Sequence, residues 1–127
     1  MTSEYTVLLH GNEAMWVAMD DERAATIDRQ HEEFTAACAE RGHRITFGRE
    51  LRRASTSTLV RLPAGETRHV VTEGPYSETV EQLGGFYVIE TEDPADLVEL
   101  VAGLVFPGDG TVELRPVVRD EDRVASA

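Results

Sequence analysis

The side chains here that could do chemistry are four histidines, one cysteine and a surplus of carboxylates. His31 comes first. It falls between Ile27 and Phe34 on the apolar stripe of a helix, where removal from water tunes an imidazole's protonation. There it is either a general acid–base group near neutral pH or a core histidine bonded to a backbone carbonyl. Glu73 could orient His31 and complete an acid–base dyad. Equally, it is a strand-end carboxylate that caps the Gly74-Pro75 turn or the turn after it. Glu78, Glu81 and Gln82 place three oxygen-bearing groups close together. A hard cation usually needs more ligands at set spacing, so they read as a solvated face. His10, His43 and His69 lie on different elements without ligand spacing, so no zinc site is expected. Cys38 shares the stripe of His31 and reads as an inert core thiol. No serine sits in a nucleophile elbow, and Gly74-Pro75 lacks the glycine spacing and lysine of a phosphate loop. No cofactor is expected.

The elements that must position these groups follow from periodicity. Glu4 to Leu9 is a strand, closed by His10-Gly11-Asn12. A connection from Gly11 to Met19 carries Trp16, which must pack on something. A helix runs from Asp20 or Asp21 to Gly42 with Ala24, Ile27, Phe34 and Cys38 inward. Strand-type runs follow at Arg44 to Leu51, Thr56 to Leu62 and Thr67 to Glu73, the last two forming a hairpin across Pro63–Glu66. Ser77 is placed to cap a short helical turn through Gln82. Gly84-Gly85 opens a strand over Phe86 to Thr91, and this pair reads as a bulge or tight crossing, or as a place where a ligand nears the backbone. Asp93 caps a second helix with Pro94 at its first position and Leu97, Leu100, Val101 and Leu104 buried. After a Pro107–Gly110 loop, Thr111 to Val118 is a strand in which Pro116 marks an edge or bulge.

Strand–helix–strand occurs twice, which predicts an α+β, ferredoxin-like βαββαβ sandwich with an extra β-hairpin. The 127 residues form one domain, residues 1–118, with a polar tail, 119–127, that frays. Both helices cover one sheet face. The other face also alternates apolar groups (Leu8 beside Tyr5, Val7 and Leu9), which predicts a homodimer with two sheets face to face.

Lys and Arg number 12 against 24 Asp and Glu, a net charge of −12. Such a surface argues against nucleic acid and anionic membrane as partners. No apolar run approaches the roughly 20 residues of a membrane span, and Met1 to Tyr5 lacks a signal-peptide pattern. One cysteine excludes an internal disulfide. A cytoplasmic protein is the expectation.

The run Glu73-Gly74-Pro75-Tyr76-Ser77-Glu78-Thr79-Val80-Glu81-Gln82-Leu83-Gly84-Gly85-Phe86 resembles the signature of the YCII-related family, in the branch named for its Asp-Gly-Pro-Phe motif. The resemblance extends from about Tyr5 to Val118. It departs from the motif at Glu73 for Asp, Tyr76 for Phe and Val80 for Lys. It implies a dimeric α/β barrel. It also implies a His–carboxylate pair in a cleft, here His31 and Glu73. Tyr76 and Asp109 are candidate substrate-binding residues; Asp109 either approaches the cleft, as in family-like folds, or simply makes the turn of the Pro107–Gly110 loop. Two functions follow as expectations. One is a small cofactor-free enzyme moving protons on a small aromatic or enolisable substrate. The other is a non-catalytic dimeric module that docks a basic protein, such as a sigma factor of the extracytoplasmic-function type.

Overall fold

The structure, a computed structural model, describes residues 2–106 and 108–126. Pro107 of the expected loop, and the end residues Met1 and Ala127 of the expected domain and tail, lie outside the described residues. In chain order the elements are β1 (Ser3–Asn12), α1 (Glu13–Val17), α2 (Asp21–Glu40), β2 (Arg44–Glu50), β3 (Thr58–Arg61), β4 (Val70–Glu73), β5 (Glu81–Thr91), α3 (Pro94–Val101), β6 (Thr111–Pro116) and α4 (Asp120–Ser126). Single 3-10 turns occupy Ala54–Thr56 and Ala102–Leu104.

Four strands form an antiparallel sheet in the order β2-β5-β1-β6. This is the strand order of a ferredoxin-like fold, with β3 and β4 added as a separate two-stranded hairpin. The sheet is open and no barrel closes within one chain. β6 lies at its edge, which accommodates Pro116.

Alternation along the strands divides the sheet into two faces. Val7 and Ile89 point to the helices and are fully buried. There they meet Phe34 and Cys38 of α2 and Leu97 and Val101 of α3, with Leu9, Ile45 and Leu114 packed around them. Each fully buried aliphatic side chain contributes about 1.5–3 kcal/mol, so this small cluster is the fold's main apolar support. Both helices begin as their sequences predict. Asp20 Oδ1 accepts the Arg23 N–H at 2.8 Å, and Asp93 Oδ1 accepts the Asp96 N–H at 3.2 Å ahead of Pro94. After α2 the chain turns at Gly42 with φ 81°, a left-handed value suited to glycine.

Several boundaries differ from the sequence reading. The Gly11–Met19 connection holds a helix, α1, which Asn12 caps by accepting the Ala14 N–H. The helical turn expected from Ser77 does not form. Instead Gln82 Nε2 donates to the carbonyls of Ser77 and Thr79, and β5 starts at Glu81. Gly84-Gly85 therefore lies inside β5, and Gly84 sits where the β1–β5 register shifts, a bulge. The strands around Pro63–Glu66 are shorter than read, because local propensity extends past the paired residues. The tail is partly helical. Arg119 lies 3.9 Å from Glu4 and 3.7 Å from Glu90, and the Val117 N–H donates to the Glu4 carbonyl, so the start of α4 is tied to the sheet.

Candidate functional site

A cavity of about 640 Å³ opens between the sheet and α2. That is within the usual range for small-ligand sites, roughly 300–1,000 Å³. His31, Tyr87, Trp16, Asp28, Glu50 and Asp109 are among its lining residues.

His31 reaches it by helical spacing. It stands one turn before the buried Phe34 on the sheet-facing side of α2. Tyr87 reaches it by strand parity, being two residues before Ile89 and paired with Val7 on the inward face. Across β2, Tyr87 is paired with Gly48, where a Cβ would sit 2.8 Å from Tyr87 Cδ1. Glycine at 48 thus makes room for the phenol ring, and Phe34 packs on it with centroids 5.4 Å apart. The result is a side-chain pair: His31 Nδ1 lies 2.6 Å from Tyr87 Oη.

Burial sets the protonation of this pair. Loss of water holds the His31 imidazole below its ordinary range, while Asp28 and Glu50 pull the other way with smaller effect. Burial also raises the Tyr87 phenol. At neutral pH the pair is a neutral imidazole beside a neutral phenol. If Nδ1–H donates to Tyr87 Oη, Nε2 carries a lone pair and the Tyr87 O–H is free to donate. The arrangement can then accept a proton at one atom and donate a hydrogen bond at another, and the two carboxylates favour the imidazolium once it forms.

His31 and Asp109 line the cavity; Glu73 and Tyr76 do not. Glu73 is exposed at the end of β4, on the separate hairpin, and no bond joins it to His31 among the described residues. The carboxylates acting on His31 are Asp28 and Glu50. Tyr76 is 84% exposed in the turn after β4, so its hydroxyl needs no internal partner. Asp109 has a structural attachment. Its Oδ2 lies 2.5 Å from Arg23 Nη2, its Oδ1 accepts the Asn12 N–H at 3.2 Å, and Arg23 lies over the Phe106 ring. This clip joins the start of α2, the end of β1 and the loop beside the cavity.

The sequence reading missed Tyr87, Asp28, Glu50 and Arg23. Tyr87 was within reach, since it shares parity with Ile89 while His31 shares a stripe with Phe34. Asp28 was within reach too, one helical turn before His31. Glu50 and Arg23 depend on which strand end or loop meets α2, and that is a tertiary fact. Elsewhere His43 is buried with Nδ1 2.7 Å from Thr91 Oγ1 and Nε2 2.7 Å from Asp96 Oδ2. His10 Nε2 lies 3.0 Å from Glu113 on the opposite sheet face. No group of histidine, cysteine and carboxylate side chains with metal-holding geometry occurs among the described residues.

A family model described as a YCII-related domain matches residues 4–120. An uncharacterised protein of Rhizobium meliloti (strain 1021) is 30% identical over 115 residues, spanning 89% of this chain and 90% of that protein.

Proposed function

The chain belongs to the YCII-related family, and from the paired His31 and Tyr87 we propose that it is a small acid–base enzyme acting on an enolisable substrate. The observation that carries this reading is the 2.6 Å contact between His31 Nδ1 and Tyr87 Oη in a cavity of about 640 Å³. His31 Nε2 removes a proton from carbon next to a carbonyl, or from a phenolic oxygen. Tyr87 donates its O–H to the oxygen on which charge builds. The same proton returns from Nε2 to a different atom of the substrate, so the net change is an isomerisation and no oxidant is consumed. Asp28 and Glu50 stabilise the transient imidazolium. Proton transfer of this kind calls for no cofactor.

Deuterium exchange at the α-carbon of small ketones and 1,3-diketones in D₂O tests the reading. The wild type should accelerate exchange, His31→Ala should abolish the acceleration, and Tyr87→Phe should reduce it. Exchange at the solvent rate with the wild type, or undiminished in His31→Ala, would overturn it.

The run from Glu73 to Phe86 supports membership of the Asp-Gly-Pro-Phe branch. We also propose a homodimer. By strand register Leu8, Phe86, Val88 and Phe47 share the sheet face away from the helices, where Phe47 is exposed and the other three are half-buried. Two such faces packed together would give the dimeric barrel that the family resemblance implies. The alternative, docking of a basic protein, rests on a net charge of −12 spread along the chain, whereas the cavity is a localised feature.

A further inference from the structure

Gly11 and Gly84 lie near one another on the paired strands β1 and β5, and neither has a positive φ. Their backbones therefore impose no need for glycine. What they share is Trp16. A Cβ at Gly84 would sit 2.7 Å from Trp16 Cζ3, and one at Gly11 would sit 2.9 Å from Trp16 Cε2, each too close for the indole to stay. The bulge at Gly84 and the turn of chain into α1 thus bring a bare patch of sheet under one large ring. Close approach to the glycine backbone is made by the protein's own tryptophan. Trp16 also lines the cavity that holds His31 and Tyr87.

We infer that Trp16, seated on Gly11 and Gly84, is the specificity-determining wall of this cavity and sets the size of the ligand that His31 and Tyr87 can address. The inference rests on the cavity being the ligand site. A ring held over two glycines cannot retreat toward the sheet without meeting backbone, and it cannot advance without taking volume from the ligand. Its position is therefore a fixed boundary, and one methyl group beneath it moves that boundary inward. Loss of the indole moves it outward.

The test is the affinity ratio of two hydroxylated probes, phenol and 2-naphthol, measured by titration calorimetry on the whole protein. Both offer a hydroxyl to the His31–Tyr87 pair and differ by one fused ring. Relative to wild type, Trp16→Ala should raise the preference for 2-naphthol by about tenfold, and Gly84→Ala should lower it by a similar factor. Trp16→Phe should fall between wild type and Trp16→Ala. Gly84→Ala added to Trp16→Ala should change nothing further, since its effect acts through the indole. Opposite shifts from the two single variants are the signature, because a purely structural tryptophan would weaken both probes together. If Gly84→Ala does not fold, the graded series of wild type, Trp16→Phe and Trp16→Ala carries the test alone. A constant ratio, shifts in the same direction, or no binding of either probe by the wild type would overturn the inference. Binding at a constant ratio with His31-dependent deuterium exchange intact would remove the role of Trp16 and leave the acid–base reading standing.

Discussion

His43 Nε2 lies 2.7 Å from Asp96 Oδ2, so the closest bond between a buried histidine and a carboxylate lies away from the cavity. Thr91 holds the other ring nitrogen, and Arg41 pairs with the second oxygen of Asp96. These four side chains join the end of α2, the end of β5 and the first turn of α3. His43 is 3% exposed and does not line the cavity, which makes it a strut of the fold.

His43→Ala should therefore lower unfolding stability by about 2–3 kcal/mol, from lost packing and the unpaired Thr91 and Asp96. Urea denaturation measures the loss. Deuterium-exchange activity at a temperature where the variant is folded should match wild type.

Removing a carboxylate near His31 should lower the imidazole pKa further, because Asp28 and Glu50 both favour its charged form. An NMR titration of the His31 ring protons should show this for Glu50→Gln and for Asp28→Asn. Glu73→Gln should leave the curve in place, since Glu73 lies on the separate hairpin.

Acid should weaken the fold in two stages. The folded pKa of His31 lies below its ordinary 6.5, so the unfolded chain binds that proton first and stability falls as pH drops through the range beneath 6.5. Asp96 is likewise held below 3.8 by its bonds to His43 and Arg41, so its contribution is present above that value and lost as pH falls further. Denaturation midpoints against pH should show both stages. His31→Asn should flatten the first stage, and Asp96→Asn the second.

Asp109→Asn should destabilise the protein by about 1–3 kcal/mol, leaving Arg23 with a neutral partner at a site where the Asp109 side chain is 4% exposed. Thermal or urea unfolding reads this. Faster hydrogen exchange at Asn12, whose N–H bonds to Asp109, should accompany it.

For the proposed face-to-face dimer, Val88→Glu should give a monomer in sedimentation velocity, because the new charge would be buried between two sheets. A monomeric wild type at micromolar concentration would remove the face-to-face dimer.

Much of the fold was legible because its signals are local. The period of Ala24, Ile27, Phe34 and Cys38, the Asp93-Pro94 start and the parity of Val7 and Leu9 each act within a few residues. The site was legible only in part. His31 announced itself by interrupting an apolar stripe, but its partner was chosen by sheet order. β5 lies between β1 and β2 and presents Tyr87 to α2, whereas the hairpin carries Glu73 elsewhere. The hairpin that carries Glu73 is legible in the sequence, but where it sits relative to α2 is not. Ser77 failed as a helix cap because Gln82 bonds back to the loop and lets β5 begin at once.

The seat of Trp16 has an optical consequence. The chain contains one tryptophan. Excited at the red edge of its absorption, the protein emits from the cavity wall and from nowhere else. A small molecule that packs against the indole should change the colour or intensity of that emission. Occupancy can thus be followed with no label and no knowledge of the substrate.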